Sequence, residues 1–119
     1  MVLKGHQNAV LDLAWTYDEL SVVSCGADKS VALWDLEEGC RVRKSHHSSV
    51  VNSCSTVRRG APLYVSGSDD SSVKLWDSRV KGCVQNYVAK YSVMSVAFND
   101  DASQILSAGV DNNIKVNIV

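Results

Sequence analysis

The side chains able to do chemistry are three histidines, His6, His46 and His47, set among many Ser and Asp residues. These are the types of a hydrolytic triad, in which a histidine takes the proton of a serine and a carboxylate orients the histidine. The spacing argues otherwise. Around Ser68 the chain reads Gly67-Ser68-Asp69-Asp70-Ser71, which is no Gly-x-Ser-x-Gly elbow. Ser and Asp also recur at equal intervals, whereas a reaction needs its nucleophile once. Adjacent His46 and His47 would point to opposite faces of a strand, so they do not make a metal pair. Asp69-Asp70 lacks the remaining positions of a calcium loop, and no glycine-rich phosphate loop occurs. No catalytic residue, metal ligand or cofactor site is assigned, and the chain reads as a non-enzyme.

The recurrence itself carries the information. Trp34-Asp35 returns as Trp76-Asp77, 42 residues further on. Asp28 and Asp70 stand six residues before each Trp, and Ser24 and Ser66 four residues before each Asp. The same offsets carried forward meet Ser107 and Asp111, with Asn117 at the Trp position. Between these anchors the spacing of apolar residues is two, the period of a strand. Val10–Trp15, Val51–Thr56 and Val93–Phe98 alternate a small or polar set (Asp12, Ala14; Ser53, Ser55; Ser95, Ala97) with a mostly bulky one (Leu11, Leu13, Trp15; Met94, Val96, Phe98). The small set suits close approach of another backbone. Val22–Ser24, Tyr64–Ser66 and Ile105–Ser107 follow as short β-prone segments. Val31–Trp34, Val73–Trp76 and Ile114–Asn117 give a third strand with two faces to bury. Cys40–Arg43 and Cys83–Tyr87 supply a fourth, the former charged as an exposed edge would be. Four short antiparallel strands per unit predict an all-β fold of propeller blades, with repeats at approximately 3–43, 44–87 and 88–119.

Composition sets the outer bounds. The chain has 119 residues, 45% of them hydrophobic, and a net charge of −1, so no strong field points to nucleic acid or membrane. No apolar run approaches the roughly 20 residues that cross a bilayer, and Met1–Lys4 is no signal peptide. Cys25, Cys40, Cys54 and Cys83 stand singly, and without a secretory signal they are expected to be reduced thiols of an intracellular protein.

Gly5-His6 and the endings Trp34-Asp35 and Trp76-Asp77 resemble the WD-repeat family. In the second repeat His47 takes the His position, and His46 replaces the usual Gly. The resemblance implies that His, Ser, Asp and Trp form a hydrogen-bonded network in each blade: His6, Ser24, Asp28 and Trp34 in the first, His47, Ser66, Asp70 and Trp76 in the second. In the third only Ser107 and Asp111 carry over, because Ala89 falls at the His position and Asn117-Ile118 stands for Trp-Asp. Three blades leave two apolar faces uncovered. The expectation is a partial propeller excerpted from a longer ring; self-association of copies is the alternative way to cover those faces.

Val51-Asn52-Ser53-Cys54, Arg58-Arg59-Gly60, Gly67-Ser68-Asp69-Asp70 and Phe98-Asn99-Asp100 are similar to one branch of the family, the WD-repeat subunits of the spliceosomal U-five small nuclear ribonucleoprotein. That likeness implies internal repeats of a seven-bladed ring. It further implies a nuclear, non-catalytic scaffold that docks on the large splicing factor and other subunits of that particle. RNA contact by Arg41, Arg43, Lys44, Arg58 and Arg59 would need stacking aromatics beside them, and the sequence places none there. Trp76-Asp77-Ser78-Arg79 resembles a pattern of WD-repeat substrate receptors of cullin-type ubiquitin ligases. That rival makes Arg79 a candidate partner contact through pairing with an acidic adaptor.

Overall fold

A computed structural model describes residues 1–119 and contains strands and turns only. Strands β1 (Val10–Trp15), β2 (Ser21–Gly26), β3 (Ser30–Asp35) and β4 (Cys40–His46) form one antiparallel sheet in sequence order. Strands β5 (Val51–Thr56), β6 (Leu63–Ser68), β7 (Ser72–Asp77) and β8 (Cys83–Val88) form a second sheet of the same plan. Strands β9 (Val93–Phe98), β10 (Gln104–Gly109) and β11 (Ile114–Ile118) make a third sheet of three strands. These are successive blades of a β-propeller.

The strict alternation expected along the first strand of each blade is broken. The pairing shifts between Val10 and Asp12, between Val51 and Ser53, and between Val93 and Ser95. One extra residue, Leu11, Asn52 or Met94, is therefore accommodated as a bulge, so Leu11 and Leu13 do not belong to one alternating set. Residues that follow the repeated Asp also share a backbone device. Lys29, Ser71 and Asn112 have φ of 69°, 68° and 65°, the left-handed conformation that closes the turn between the second and third strands.

The core is the pair of seams where neighbouring blades meet. In the first seam Val23, Cys25, Val31 and Leu33 pack on Val51, Cys54, Tyr64 and Trp76. In the second, Val65, Val73 and Leu75 pack on Val93, Val96 and Ile105. Blade two is thus apolar on both faces: Tyr64 and Trp76 look one way, Val65, Val73 and Leu75 the other, as period-two alternation demands. The Cys54 thiol points at the Val23 carbonyl oxygen, 3.7 Å away. The adjoining Cys25 thiol, together with burial, pushes the Cys54 pKa up, so it remains a thiol.

The outer faces of blades one and three carry equivalent residues with nothing over them. Leu13, the counterpart of Cys54, is 60% exposed, and Ile114, the counterpart of Val73, is 75% exposed. Within the second seam the approach is closest at Gly67, where a Cβ would lie 2.6 Å from Val93 Cγ1 and 2.8 Å from Val96 Cγ1. Gly67→Ala therefore overpacks that seam and is expected to lower stability by about 1–3 kcal/mol. Urea denaturation of the intact protein measures this, and an unchanged midpoint would show that the seam has slack.

Candidate functional site

Two of the three blades contain the same chain of hydrogen bonds. In blade one the Trp34 indole Nε1–H donates to Ser24 Oγ at 2.7 Å. Ser24 Oγ lies 2.6 Å from His6 Nε2, and His6 Nδ1 lies 2.9 Å from Asp28 Oδ2. In blade two Trp76 Nε1–H donates to Ser66 Oγ at 2.9 Å; Ser66 Oγ is 2.6 Å from His47 Nε2, and His47 Nδ1 is 3.2 Å from Asp70 Oδ2. Strand pairing explains the reach. Ser66 on β6 sits opposite Lys74 on β7, two residues before Trp76, so serine and indole share one face of the sheet. His47 is brought over them by the return from β4, where its backbone N–H donates to Lys29 O at 2.9 Å.

Each Asp organises the adjoining turn as well. Asp70 Oδ1 accepts from the backbone N–H of Ser72 at 2.9 Å and from its hydroxyl, while Oδ2 accepts from the backbone N–H of Ser48 at 2.9 Å. Asp28 does the same with Ser30 (N–H 3.2 Å, hydroxyl 2.7 Å) and with the N–H of Gln7 at 3.1 Å. Ser30 and Ser72 were not singled out from the sequence, although their Asp-x-Ser spacing repeats and signals the role. In blade three Ser107 and Asp111 are not joined to one another. Asp111 Oδ1 retains only the turn bond from the Asn113 N–H, at 3.3 Å. The reason is substitution: the backbone of Ala89 makes the same bond as that of His47, to Ser71 O at 2.7 Å, but presents no imidazole.

The bonds have a direction. The indole can only donate and Ser66 Oγ has no partner besides it and His47 Nε2, so the buried hydroxyl proton is used only by going to Nε2; His47 then carries its proton on Nδ1, facing Ser72 Oγ at 2.9 Å and Asp70 Oδ2 at 3.2 Å. The imidazole is therefore neutral. Burial lowers the His47 pKa below its ordinary value, outweighing the pull of Asp70. Burial opposes ionisation of Asp70, but hydrogen bonds from Ser72 and Ser48 and the nearby His47 outweigh it and hold the carboxyl below the usual carboxylate range. Asp28 is held lower still by Ser30, Gln7 and His6 against the same opposition.

Serine, histidine and aspartate at these distances have the connectivity of a nucleophilic triad. Access separates the two. Ser66 is 0% exposed and its Oγ already accepts the indole proton, so no carbonyl carbon can approach it. What the arrangement does is tie the second and third strands, the turn between them and the entry loop together in blades one and two. Of the remaining sequence candidates, His46 is exposed and lies apart from buried His47. Arg79 is exposed, but its Nε and Nη2 donate to the two oxygens of Asp77 at 3.0 and 2.7 Å. Arg59 pairs with Asp100 of the next blade at 2.6 Å.

A second set of bonds crosses the seams and was not legible beforehand. Asp12 Oδ2 accepts from Ser53 Oγ at 3.1 Å and Cys54 N–H at 3.2 Å, and Ser53 Oγ accepts from Val96 N–H at 3.3 Å. The third residues of β1 and β5 thus each satisfy a backbone donor in the blade that follows.

A sequence model of the WD domain, G-beta repeat, matches residues 1–35, 39–77 and 81–116. The chain is 43% identical over 116 residues to the U5 small nuclear ribonucleoprotein 40 kDa protein of Dictyostelium discoideum, covering 97% of this chain and 33% of that protein. It is 35% identical to the pre-mRNA-splicing factor cwf17 of Schizosaccharomyces pombe, covering 97% of this chain and 34% of that one. The chain therefore spans about a third of the length of these curated relatives. Among solved structures, that of U3-55K superposes with a TM-score of 0.92 at 24% identity, over 100% of this chain and 38% of its own, which speaks for the fold alone. The RRP9 WD40 repeats superpose with the same score at 25% identity, over the same shares.

Two outcomes test the site. Asp70→Ala orphans the turn and imidazole donors and is expected to cost the intact protein about 1–3 kcal/mol by chemical denaturation; unchanged stability would remove Asp70 from the brace. Because His47 is held below its unfolded pKa, its stabilisation is complete above that pKa and is lost as pH falls. Asp28 and Asp70, also depressed, add their loss at more acid pH. The melting temperature is expected to decline once pH falls below about 6.5 and more steeply below about 4. A flat profile between about pH 7 and 5 would contradict a neutral His47.

Proposed function

The chain belongs to the WD-repeat family, and on that footing we propose that it is part of a non-catalytic interaction scaffold of the splicing machinery. The protein works in the nucleus within the U5 small nuclear ribonucleoprotein and docks on that particle's large splicing factor and other subunits. One observation carries this reading: 43% identity over 97% of the chain to a U5 40 kDa protein, with 35% identity to a splicing factor from a second organism. Physical support comes from the braces, whose buried serines fix the interior of blades one and two and are closed to a substrate. The repeats run at approximately 3–43, 44–87 and 88–119, and further blades of a seven-bladed ring cover the apolar faces that blades one and three leave open. These relatives are about three times as long as the chain, which favours ring completion within one polypeptide over association of copies.

The ligase-receptor alternative requires the Arg79 guanidinium for an acidic adaptor. Its Nε and Nη2 edge is filled by Asp77, and that carboxylate is held ionised chiefly by Arg79 itself. Affinity purification of the intact protein from nuclear extract, followed by mass spectrometry, tests the assignment. U5 proteins, the large splicing factor foremost, are the expected enrichment. Enrichment of a cullin adaptor without splicing proteins, lost in Arg79→Ala, would overturn it.

A further inference from the structure

The seam between blades one and two is complete within this chain, and its outer end opens into a groove of about 590 Å³. Its lining runs through residues 42–46 of β4, then Lys74 and Trp76 of β7, then Lys81–Cys83 at the start of β8. Arg43, Lys44, His46, Lys74 and Lys81 line it, and no carboxylate does. None of the four Lys and Arg side chains has an acidic partner within 4.0 Å. For a chain of net charge −1 this is a local concentration of unpaired positive charge. Arg43, Lys44 and Lys74 are half-buried, so they give up part of their hydration without an ion pair in return. Asp77 and Asp70 are engaged elsewhere, with Arg79 and in the blade-two brace, and Arg43 has a neutral partner only, donating from Nε to Ser78 O at 3.3 Å. Nearby Lys74 also helps to lower the His47 pKa, as an uncompensated charge would.

The shape of the groove narrows the kind of anion. Successive strand residues point to opposite faces, so five consecutive lining residues mean that the groove follows the edge of β4. That edge is free, because β4 pairs with β3 alone. Single-stranded nucleic acid would need a row of exposed rings for successive bases to stack on; Trp76 is 4% exposed, which leaves the single imidazole of His46. We propose that this groove docks an extended acidic peptide segment of a protein partner, added along the free edge of β4 with its carboxylates directed at Arg43, Lys74 and Lys81, Arg43 being the β4 cation on the seam face, opposite Leu33. Backbone pairing would supply affinity and the cations would set orientation and specificity. The site does not depend on which ribonucleoprotein the scaffold serves.

Fluorescence anisotropy on the intact protein tests this, with a labelled dodecapeptide of alternating Glu and Thr and a labelled oligouridylate of equal charge as probes. Lys74→Glu combined with Lys81→Glu is expected to weaken the peptide about tenfold or more, while Lys29→Glu combined with Lys90→Glu, the same charge change outside the groove, weakens it less than about twofold. Circular dichroism checks folding. If the groove pair misfolds, Lys81→Glu in the exposed turn replaces it, with about threefold weakening expected. Equal losses in the groove and control variants would overturn the proposal. So would an oligouridylate that binds more tightly than the peptide and is lost only in the groove variant, which would make this a nucleic-acid surface.

Discussion

A buried indole N–H must have an acceptor, and that requirement organises each complete blade. Trp76 is 4% exposed at the first seam, and leaving its donor unpaired there would cost its full desolvation. Ser66 accepts it, which turns the serine proton toward His47, which turns the imidazole proton toward Asp70. Asp70 in turn fixes the turn before β7 and the entry to β5 through Ser72 and Ser48. A large apolar side chain can therefore fill the seam without orphaning a polar atom, and no buried side-chain nitrogen or oxygen in the structure lacks a partner.

The seams also have a direction. Asp12 reaches forward to Cys54 N–H and Ser53 to Val96 N–H, so each blade completes the backbone bonding of the next. At the leading end Leu13 N–H, the donor equivalent to Cys54 N–H, is taken by Asp12 of its own strand at 2.9 Å. The trailing blade has lost its Trp and His, yet it remains attached because Val93, Val96 and Ile105 still supply an apolar face to blade two. Apolar burial joins the blades, and the polar braces set their register and internal shape.

Much of this was legible because it is repeated. The 42-residue interval, the Ser-Asp-Trp offsets and the period-two strands are written into each unit, and so they exposed the four-stranded blades, the short third sheet and the residues that the braces bring together. Contacts between units leave a weaker trace. Asp12 and Ser53 read as small or polar residues suited to close approach, but their acceptors and donors lie in another blade, so the bonds themselves were invisible. The bulges at Leu11, Asn52 and Met94 depend on backbone pairing rather than residue type. Arg79 read as a projecting contact because nothing in a Trp-Asp-x-Arg string says that the arginine folds back on the aspartate two residues before it. The cationic groove was hidden for the same reason: Arg43 and Lys74 belong to different blades and line one groove only across the seam.

The blade-two brace depends on hydrogen bonds running one way, from Trp76 through Ser66 and His47 to Asp70, with the imidazole neutral. Nitrogen-15 NMR of histidine-labelled intact protein reads that state directly at His47. The predicted result is a proton on Nδ1, none on Nε2, and titration below the ordinary histidine pKa of about 6.5. A proton on Nε2 at neutral pH, or an imidazolium persisting above that pKa, would contradict it.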